Sequence, residues 1–135
     1  GLKEHIVELV NKMDADRVVI DSISVMGMYT QGAAEVRRRL YELIKHLRRE
    51  EVTTVITSEA PKGNEDSISR FGVEEFVSDT VVTLHYMGIG GGIFRNIEVP
   101  KIRKTDQEKG SFPMEISDAG MKVYMSEEEY AEAQD

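Results

Sequence analysis

Hydrophobic residues recur at helical spacing in two stretches of the chain. Over residues 2–13 one face is apolar and the opposite face is charged, which predicts an amphipathic helix. In the longer stretch, from about Ala33 to Arg49, apolar residues are spaced three and four positions apart, at Val36, Leu40, Leu43, Ile44 and Leu47. This spacing predicts a second helix.

Continuous apolar runs rich in β-branched residues lie on either side of the longer helix. Residues 17–22 predict a strand that is buried on both faces, and residues 52–57 predict a second strand. Because a single helix joins them, we expect a right-handed crossover between parallel strands. Residues 23–32, which contain two glycines among mixed apolar residues, are expected to form a loop.

The second half of the chain contains shorter runs and turn signals. Residues 80–86 and 93–103 predict two strands, with Pro100 marking a bulge or an edge position. Because no Gly-Lys-Ser/Thr follows the glycine-rich residues 88–92, we interpret them as a hairpin turn and not as a phosphate-binding loop. Two more short strands are predicted at 112–116 and 121–125, and a capping box at residues 126–129 opens a short helix.

Composition narrows the class of protein. A chain of 135 residues, 40% hydrophobic and 31% charged, is expected to form one soluble globular domain. No apolar run approaches the ~20 residues that span a bilayer, so no membrane segment is expected. The absence of Cys excludes thiolate zinc sites and favours a cytoplasmic protein. The net charge of −8 argues against a broad nucleic-acid-binding surface.

Polar residues follow both apolar strands and are the first candidates for chemistry. Asp21 and Ser22 follow one strand, and Ser58 and Glu59 follow the other. Ligands of α/β proteins collect at the carboxyl ends of parallel strands, so these four residues are candidate binding residues. A strand that delivers one carboxylate is typical of a Walker B strand, whose Asp serves a nucleotide-bound Mg²⁺. An Asp that caps the next turn gives the same pattern, and both interpretations stay open at this point.

Basic residues form two clusters that are candidates for binding phosphate. Lys101, Arg103 and Thr105 lie on one face if their strand continues, and two cations there can grip a phosphate. The alternative is a charged edge that prevents aggregation. The arginines of the longer helix (37–39, 48 and 49) are interpreted as a solvated face that pairs with neighbouring acids, namely Glu35, Glu42 and Glu50.

Several of these segments together resemble the KaiC-like branch of the RecA-type P-loop ATPases. The resemblance rests on residues 18–22, 52–59, 70–79 and 101–105 with 112–116, and it runs from about Arg17 to Tyr124. It implies an α/β fold, a RecA-like ATPase core with a mostly parallel sheet, helices on both faces and a C-terminal β-hairpin. It also implies self-association as a ring, often a hexamer, with ATP and Mg²⁺ between subunits.

The resemblance assigns roles to the candidates at the strand ends. Asp21 would be the Walker B carboxylate that positions Mg²⁺ directly or through water, with Ser22 beside it. Ser58 and Glu59 would sense the state of the bound nucleotide. The loops at Tyr29 and at residues 60–69 resemble those that line the central channel of such rings.

The resemblance also assigns roles to the basic segment. Lys101 and Arg103 would act in trans as catalytic cations, with Thr105, on the triphosphate bound by the neighbouring subunit. Many relatives have a His two positions after this Thr, and this chain has Gln107 there. The role of that His is therefore not carried over.

One departure limits what the resemblance implies. The family's Walker A loop and catalytic Glu precede the Walker B strand, and no G-x-x-x-x-G-K-S/T occurs in these 135 residues. We therefore expect residues 1–135 to be the C-terminal half of one domain, with the N-terminal part missing and no ATP binding or activity of its own. A non-enzymatic partner or regulatory module that retains this half is the alternative. A nucleic-acid-binding ring is a third, disfavoured by the acidic charge.

Overall fold

The computed structural model describes residues 1–61, 67–89 and 92–134. The chain divides into two compact units, Gly1–Ser78 and Asp79–Asp135. Among the described residues, no helix has both the length and the apolar character needed to cross a bilayer.

The first unit alternates helices and strands in the predicted order. Helix α1 spans Leu2–Met13, strand β1 spans Arg17–Ile20, helix α2 spans Ala33–Arg49 and strand β2 spans Thr53–Ile56. A single helical turn, α3, covers Glu74–Val77. The bounds of α1 and α2 are those predicted from the spacing of apolar residues, because one apolar stripe marks each helix along its whole length.

Strands β1 and β2 form a parallel pair in which Ile20 lies opposite Ile56. The predicted parallel pairing of two strands joined through α2 is therefore confirmed. The face of the sheet that carries these two side chains packs against a buried cluster of Ile23, Met26, Val36, Leu40 and Phe71. A second cluster of Val10, Leu43 and Leu47 contacts Val18 and Val52 and joins α1 to the same layer. Burial of these side chains is the main favourable contribution to folding of this unit.

The opposite face of the parallel pair is open. Val19 lies directly opposite Val55, and the two side chains are 70% and 55% exposed. The expectation that the first strand is buried on both faces is wrong for the described residues, because α1 and α2 pack on the face of Val18 and Ile20.

Residues 23–28 form a 3₁₀ helix where we expected a loop. Its residues Ile23 and Met26 are buried and contact the cluster that includes Val36 and Leu40 of α2. Because residues i and i+3 of a 3₁₀ helix lie on the same side, this conformation directs both side chains into the core. Tertiary packing therefore orders a segment whose composition resembles a loop.

The second unit is a four-stranded antiparallel sheet. Its strands, in both chain and spatial order, are β3 (Thr80–Ile89), β4 (Gly92–Ile102), β5 (Ser111–Ser117) and β6 (Gly120–Val123). The antiparallel pairing of β3 and β4 is confirmed. Of the hairpin turn predicted at residues 88–92, residues 90 and 91 lie outside the described residues. The register shifts where Val81 and Thr83 pair with Lys101 and Glu98, which confirms the irregularity expected at Pro100. The described pairing is thus parallel in the first unit and antiparallel in the second.

A short helix, α4 (Glu127–Glu132), follows the sheet. It begins at the predicted capping box, where Ser126 Oγ accepts a hydrogen bond from Glu129 N at 3.1 Å. Tyr130 of this helix packs edge-on against Phe94 and Tyr124. These aromatic contacts hold α4 against the sheet.

Candidate functional site

The carboxyl ends of β1 and β2 meet at Asp21 and Thr57. Thr57 Oγ1 donates a hydrogen bond to Asp21 Oδ1 at 2.5 Å. The backbone joins the same ends, since Thr57 N donates to Ile20 O at 3.1 Å and Ile23 N donates to Thr57 O at 3.0 Å. Both side chains are exposed. The parallel register therefore presents a carboxylate and a hydroxyl, open to solvent, at one edge of the sheet.

Ser22 follows Asp21 through a cis peptide bond and is the N-cap residue of the 3₁₀ helix. It makes no side-chain capping hydrogen bond there and is half-buried. Two residues later, Ser24 Oγ accepts a hydrogen bond from Glu59 N at 3.3 Å. The segment after β1 is thus linked to the segment after β2.

The carboxylate of Glu59 forms an ion pair with Arg70 at 3.1 Å. The two side chains are 69% and 50% exposed, so solvent screening limits this pair to at most about 1 kcal/mol. Its structural effect is to link the end of β2 to the segment that leads into α3.

The hydroxyl of Ser58 points to a buried carboxylate. Ser58 Oγ donates to Glu74 Oε1 at 2.8 Å. The same carboxylate accepts hydrogen bonds from Phe71 N at 3.2 Å and from Val73 N at 3.1 Å. Glu74 is only 6% exposed, so these donors replace the water that its carboxylate would otherwise bind.

These contacts keep Glu74 ionised. Burial is the largest single influence and raises its pKa, but hydrogen bonds from the backbone N–H groups of Glu74, Val73 and Phe71 and from Ser58 together outweigh it. The pKa of Glu74 therefore lies below its ordinary value. A buried anion thus holds the end of β2 and the turn before α3 together.

Sequence reasoning missed both Thr57 and Glu74 as members of this edge. Thr57 ends an apolar run, and its position one residue before Ser58 at a strand end was the available signal. Glu74 belongs to the charged pair Glu74-Glu75, which has the pattern of a solvated helix start. No local signal distinguishes the buried member of that pair from its neighbour.

The expected pairing of the arginines of α2 with neighbouring acids is confirmed for Arg38 and Arg39, whereas Arg37 and Arg48 donate to backbone carbonyls. Arg38 pairs with Glu35 at 2.8 Å and with Glu42 at 2.7 Å, and Arg39 pairs with Glu35 at 2.7 Å. Hydrogen bonds from Arg38, which have the larger effect, and from Arg39 lower the pKa of Glu35 to about 2. Arg37 Nε instead donates to Phe71 O at 2.5 Å and fixes the turn before Glu74.

The basic candidates lie in the second unit, at the end of β4. The strand ends at Ile102, and the positive φ of 62° at Lys104 turns the chain, so the strand does not continue through Thr105. Arg103 pairs with Asp79 at 3.2 Å, and Arg103 N donates to Asp79 O at 3.0 Å. The expected shared face of Lys101, Arg103 and Thr105 is therefore not formed by a continuous strand.

The edge at Asp21 suits one kind of metal ion. Among the described residues there is no group of three or more His, Cys, Asp or Glu side chains that could hold a metal. Mg²⁺ keeps several water ligands and is commonly bound by one or two carboxylates together with substrate phosphates. A single exposed carboxylate beside the Thr57 hydroxyl fits a hydrated Mg²⁺.

Comparisons with known proteins agree with one another. The sequence profile of the family described as "ATPase: KaiC" matches residues 1–128. The circadian clock oscillator protein KaiC of Parathermosynechococcus lividus is 39% identical over 124 residues, which are 92% of this chain and 23% of that protein. The protein of the same name from Prochlorococcus marinus subsp. pastoris is 40% identical over 124 residues, 92% of this chain and 24% of that protein.

A solved structure extends the similarity to the fold. The crystal structure of a KaiC-like protein from Pyrococcus horikoshii OT3 matches with a TM-score of 0.80 and 31% identity, over 91% of this chain and 53% of that chain. The predicted RecA-like α/β class is thereby confirmed. The chain spans about a quarter of the curated relatives and about half of the solved chain. The chain belongs to the KaiC family of RecA-type ATPases.

Proposed function

We propose that the chain is the C-terminal half of one KaiC-like ATPase domain and contributes the Walker B carboxylate to an ATP site. The observation that carries this proposal is the contact of Asp21 with Thr57 at the carboxyl edge of two parallel strands, in a member of an ATPase family. A carboxylate at this edge is where a RecA-type fold needs one.

In this proposal Asp21 would position Mg²⁺ directly or through water, with Ser22 beside it. When Mg·ATP is bound, its cation neutralises negative charge that develops on the phosphates. Ser58 and Glu59 act as sensors of the nucleotide state. Their contacts with Glu74 and Arg70 support that role, because a change at the end of β2 would reach the turn before α3.

The basic segment acts on the neighbouring subunit of a ring. Arg103 offers a planar fork and Lys101 a point charge to the triphosphate bound next door, with Thr105 as a further polar contact. Arg103 and Thr105 are exposed, which this role requires. Stabilising charge on the γ-phosphate is the expected contribution of such cations.

A regulatory or partner module without enzymatic activity is the second candidate. It would apply to residues 1–135 taken by themselves, which contain no G-x-x-x-x-G-K-S/T motif. Without that loop the backbone cradle for the β- and γ-phosphates is missing, and this chain alone does not hold ATP.

A fusion protein tests the two candidates. The chain is joined behind the N-terminal half of the Pyrococcus horikoshii relative, which by family resemblance supplies the Walker A loop. We expect ATP hydrolysis by the fusion and a loss of at least ~10²-fold on Asp21→Asn, because the Mg²⁺ water loses its carboxylate.

The matched control is Asp14→Asn. Asp14 adopts the left-handed conformation at the end of α1, where Asn is equally tolerated, and it lies outside the edge. A soluble, folded fusion that shows no hydrolysis, or one whose hydrolysis survives Asp21→Asn, would favour the module without enzymatic activity.

A further inference from the structure

The hydrogen atom of the Ser58 hydroxyl has a fixed destination. Glu74 is buried and ionised, and an ionised carboxylate can only accept hydrogen bonds. In the 2.8 Å contact between Ser58 Oγ and Glu74 Oε1, Ser58 is therefore the donor. A serine hydroxyl has one hydrogen, so Ser58 retains only lone pairs for any other partner.

The hydroxyl of Thr57, one residue earlier, is also committed as a donor. It donates to Asp21 Oδ1, and so it too retains only lone pairs. The side chains of Asp21, Thr57 and Ser58 thus present a carboxylate and two hydroxyl oxygens, all acceptors. Arg70 pairs with Glu59 at 3.1 Å, so its charge is directed to that carboxylate.

The position of Glu74 is fixed from several directions. Gly72, with φ +64°, allows the tight turn that aims Phe71 N and Val73 N at one carboxylate. The Phe71 side chain is buried in the core cluster, and its carbonyl accepts a hydrogen bond from Arg37. If the carboxylate turned away from Ser58, it would also lose the hydrogen bond that Phe71 N donates to the same oxygen, Glu74 Oε1.

We propose that Glu74 is a positioning residue that accepts the hydrogen bond of the Ser58 hydroxyl. The side chains of Asp21, Thr57 and Ser58 then form an edge that can only accept hydrogen bonds. This edge binds water, free or cation-bound, and not phosphate oxygens. Water has hydrogens to donate and matches such an edge, whereas a phosphate oxygen is itself an acceptor and does not. The inference rests on the proposed function, because it concerns the same site. It specifies that this edge faces the hydrated cation of Mg·ATP and not the phosphate oxygens.

The first test measures the titration of Glu74 by carboxyl ¹³C NMR on the whole chain, with the exposed apolar pair replaced by Val19→Thr and Val55→Thr in every variant to suppress association. Removing the donor with Ser58→Ala should move the midpoint of Glu74 upward by about one pH unit, because the ionised form loses one charge-assisted hydrogen bond. Ser58→Thr keeps a hydroxyl and should restore the wild-type midpoint. Ser24→Ala, a nearby serine that accepts from Glu59 N, is the matched control and should change nothing.

The second test adds inorganic phosphate to the same chain and follows the amide signals of residues 57–59. We expect no saturable shift that depends on the Ser58 hydroxyl. A Glu74 midpoint unmoved by Ser58→Ala would overturn the inference, and so would a phosphate-induced shift that Ser58→Ala abolishes. Failure of the proposed ATPase function would instead appear in the fusion protein as hydrolysis insensitive to Asp21→Asn, so the two failures are distinguishable.

Discussion

Val19 of β1 lies directly opposite Val55 of β2, and together they form an exposed apolar pair on the open face of the parallel sheet. Within the described residues β2 pairs with β1 alone, so its other edge carries unpaired backbone groups. By family resemblance, the strand of the Walker A half would lie along that edge. An exposed apolar face next to an open edge is a template for association with another chain.

We therefore predict that the chain by itself is oligomeric or poorly soluble. Borrowing a strand or a face from another copy would cover both features. The double variant Val19→Thr/Val55→Thr, which keeps shape and β propensity but adds hydroxyls, should shift light scattering at tens of micromolar towards the monomer. Met13→Gln, at an exposed site outside the sheet, is the control. A wild-type chain that is a monodisperse monomer with a cooperative melt would contradict this prediction.

A second prediction concerns nucleotide affinity. Because the phosphate cradle is absent from the sequence, the chain alone should bind Mg·ATP no tighter than about millimolar, which corresponds to roughly 4 kcal/mol. Isothermal titration calorimetry measures this directly. A micromolar dissociation constant would mean that residues other than a Walker A loop hold the triphosphate.

The parts of the fold that the sequence predicts are those with local causes. The apolar stripe of α2 and the β-branched runs on either side of it determine the helix, the strands and their parallel pairing. The openness of the sheet at Val19 could not be predicted, because an apolar strand has the same composition whether or not a second layer covers it. The 3₁₀ helix at Ile23–Met28 likewise depends on contacts with residues far along the chain.

The candidate site divides in the same way. Asp21 and Ser58 were predictable, because polar residues that end parallel strands meet at one edge. Glu74 lies sixteen positions after Ser58, and its burial results from the turn at Gly72 and from the Phe71 side chain in the core. The interpretation of Lys101, Arg103 and Thr105 as residues acting in trans stays a prediction.

The basic segment gives a third prediction, made for the fusion protein under the proposal that it assembles as a ring. Lys101→Ala or Arg103→Ala should each reduce ATP turnover by ~10³-fold or more, as the loss of a cation that stabilises transition-state charge would. Arg103 also pairs with Asp79, so Asp79→Asn is the matched control. That pair is largely exposed and contributes at most about 1 kcal/mol to stability, so this variant should keep its turnover within a few-fold. Unchanged turnover in both alanine variants would contradict the role in trans and favour the alternative, a charged edge that prevents aggregation.

The last prediction is an acid-induced loss of stability that depends on Glu74. The pKa of Glu74 in the folded chain is lower than in the unfolded chain, where the pKa of a Glu is about 4.3. Its contribution is therefore fully present above that pH and is lost as the pH falls through the folded-state pKa. Glu74→Gln should lower the free energy of unfolding by about 1–3 kcal/mol at pH 7, because a buried carboxylate that accepts from Ser58, Phe71 N and Val73 N becomes an amide.

The difference between wild type and Glu74→Gln should then shrink steadily below about pH 4, where the wild-type carboxyl becomes neutral as well. This difference in the free energy of unfolding is measured by urea unfolding at several pH values from 7 to 3. Both proteins carry Val19→Thr/Val55→Thr to suppress association. Glu8→Gln on the exposed face of α1 is the control and should change the free energy of unfolding by less than about 0.5 kcal/mol at each pH. A difference for Glu74→Gln that stays constant across this range would show that burial and shape, and not the charge of Glu74, stabilise the turn before α3.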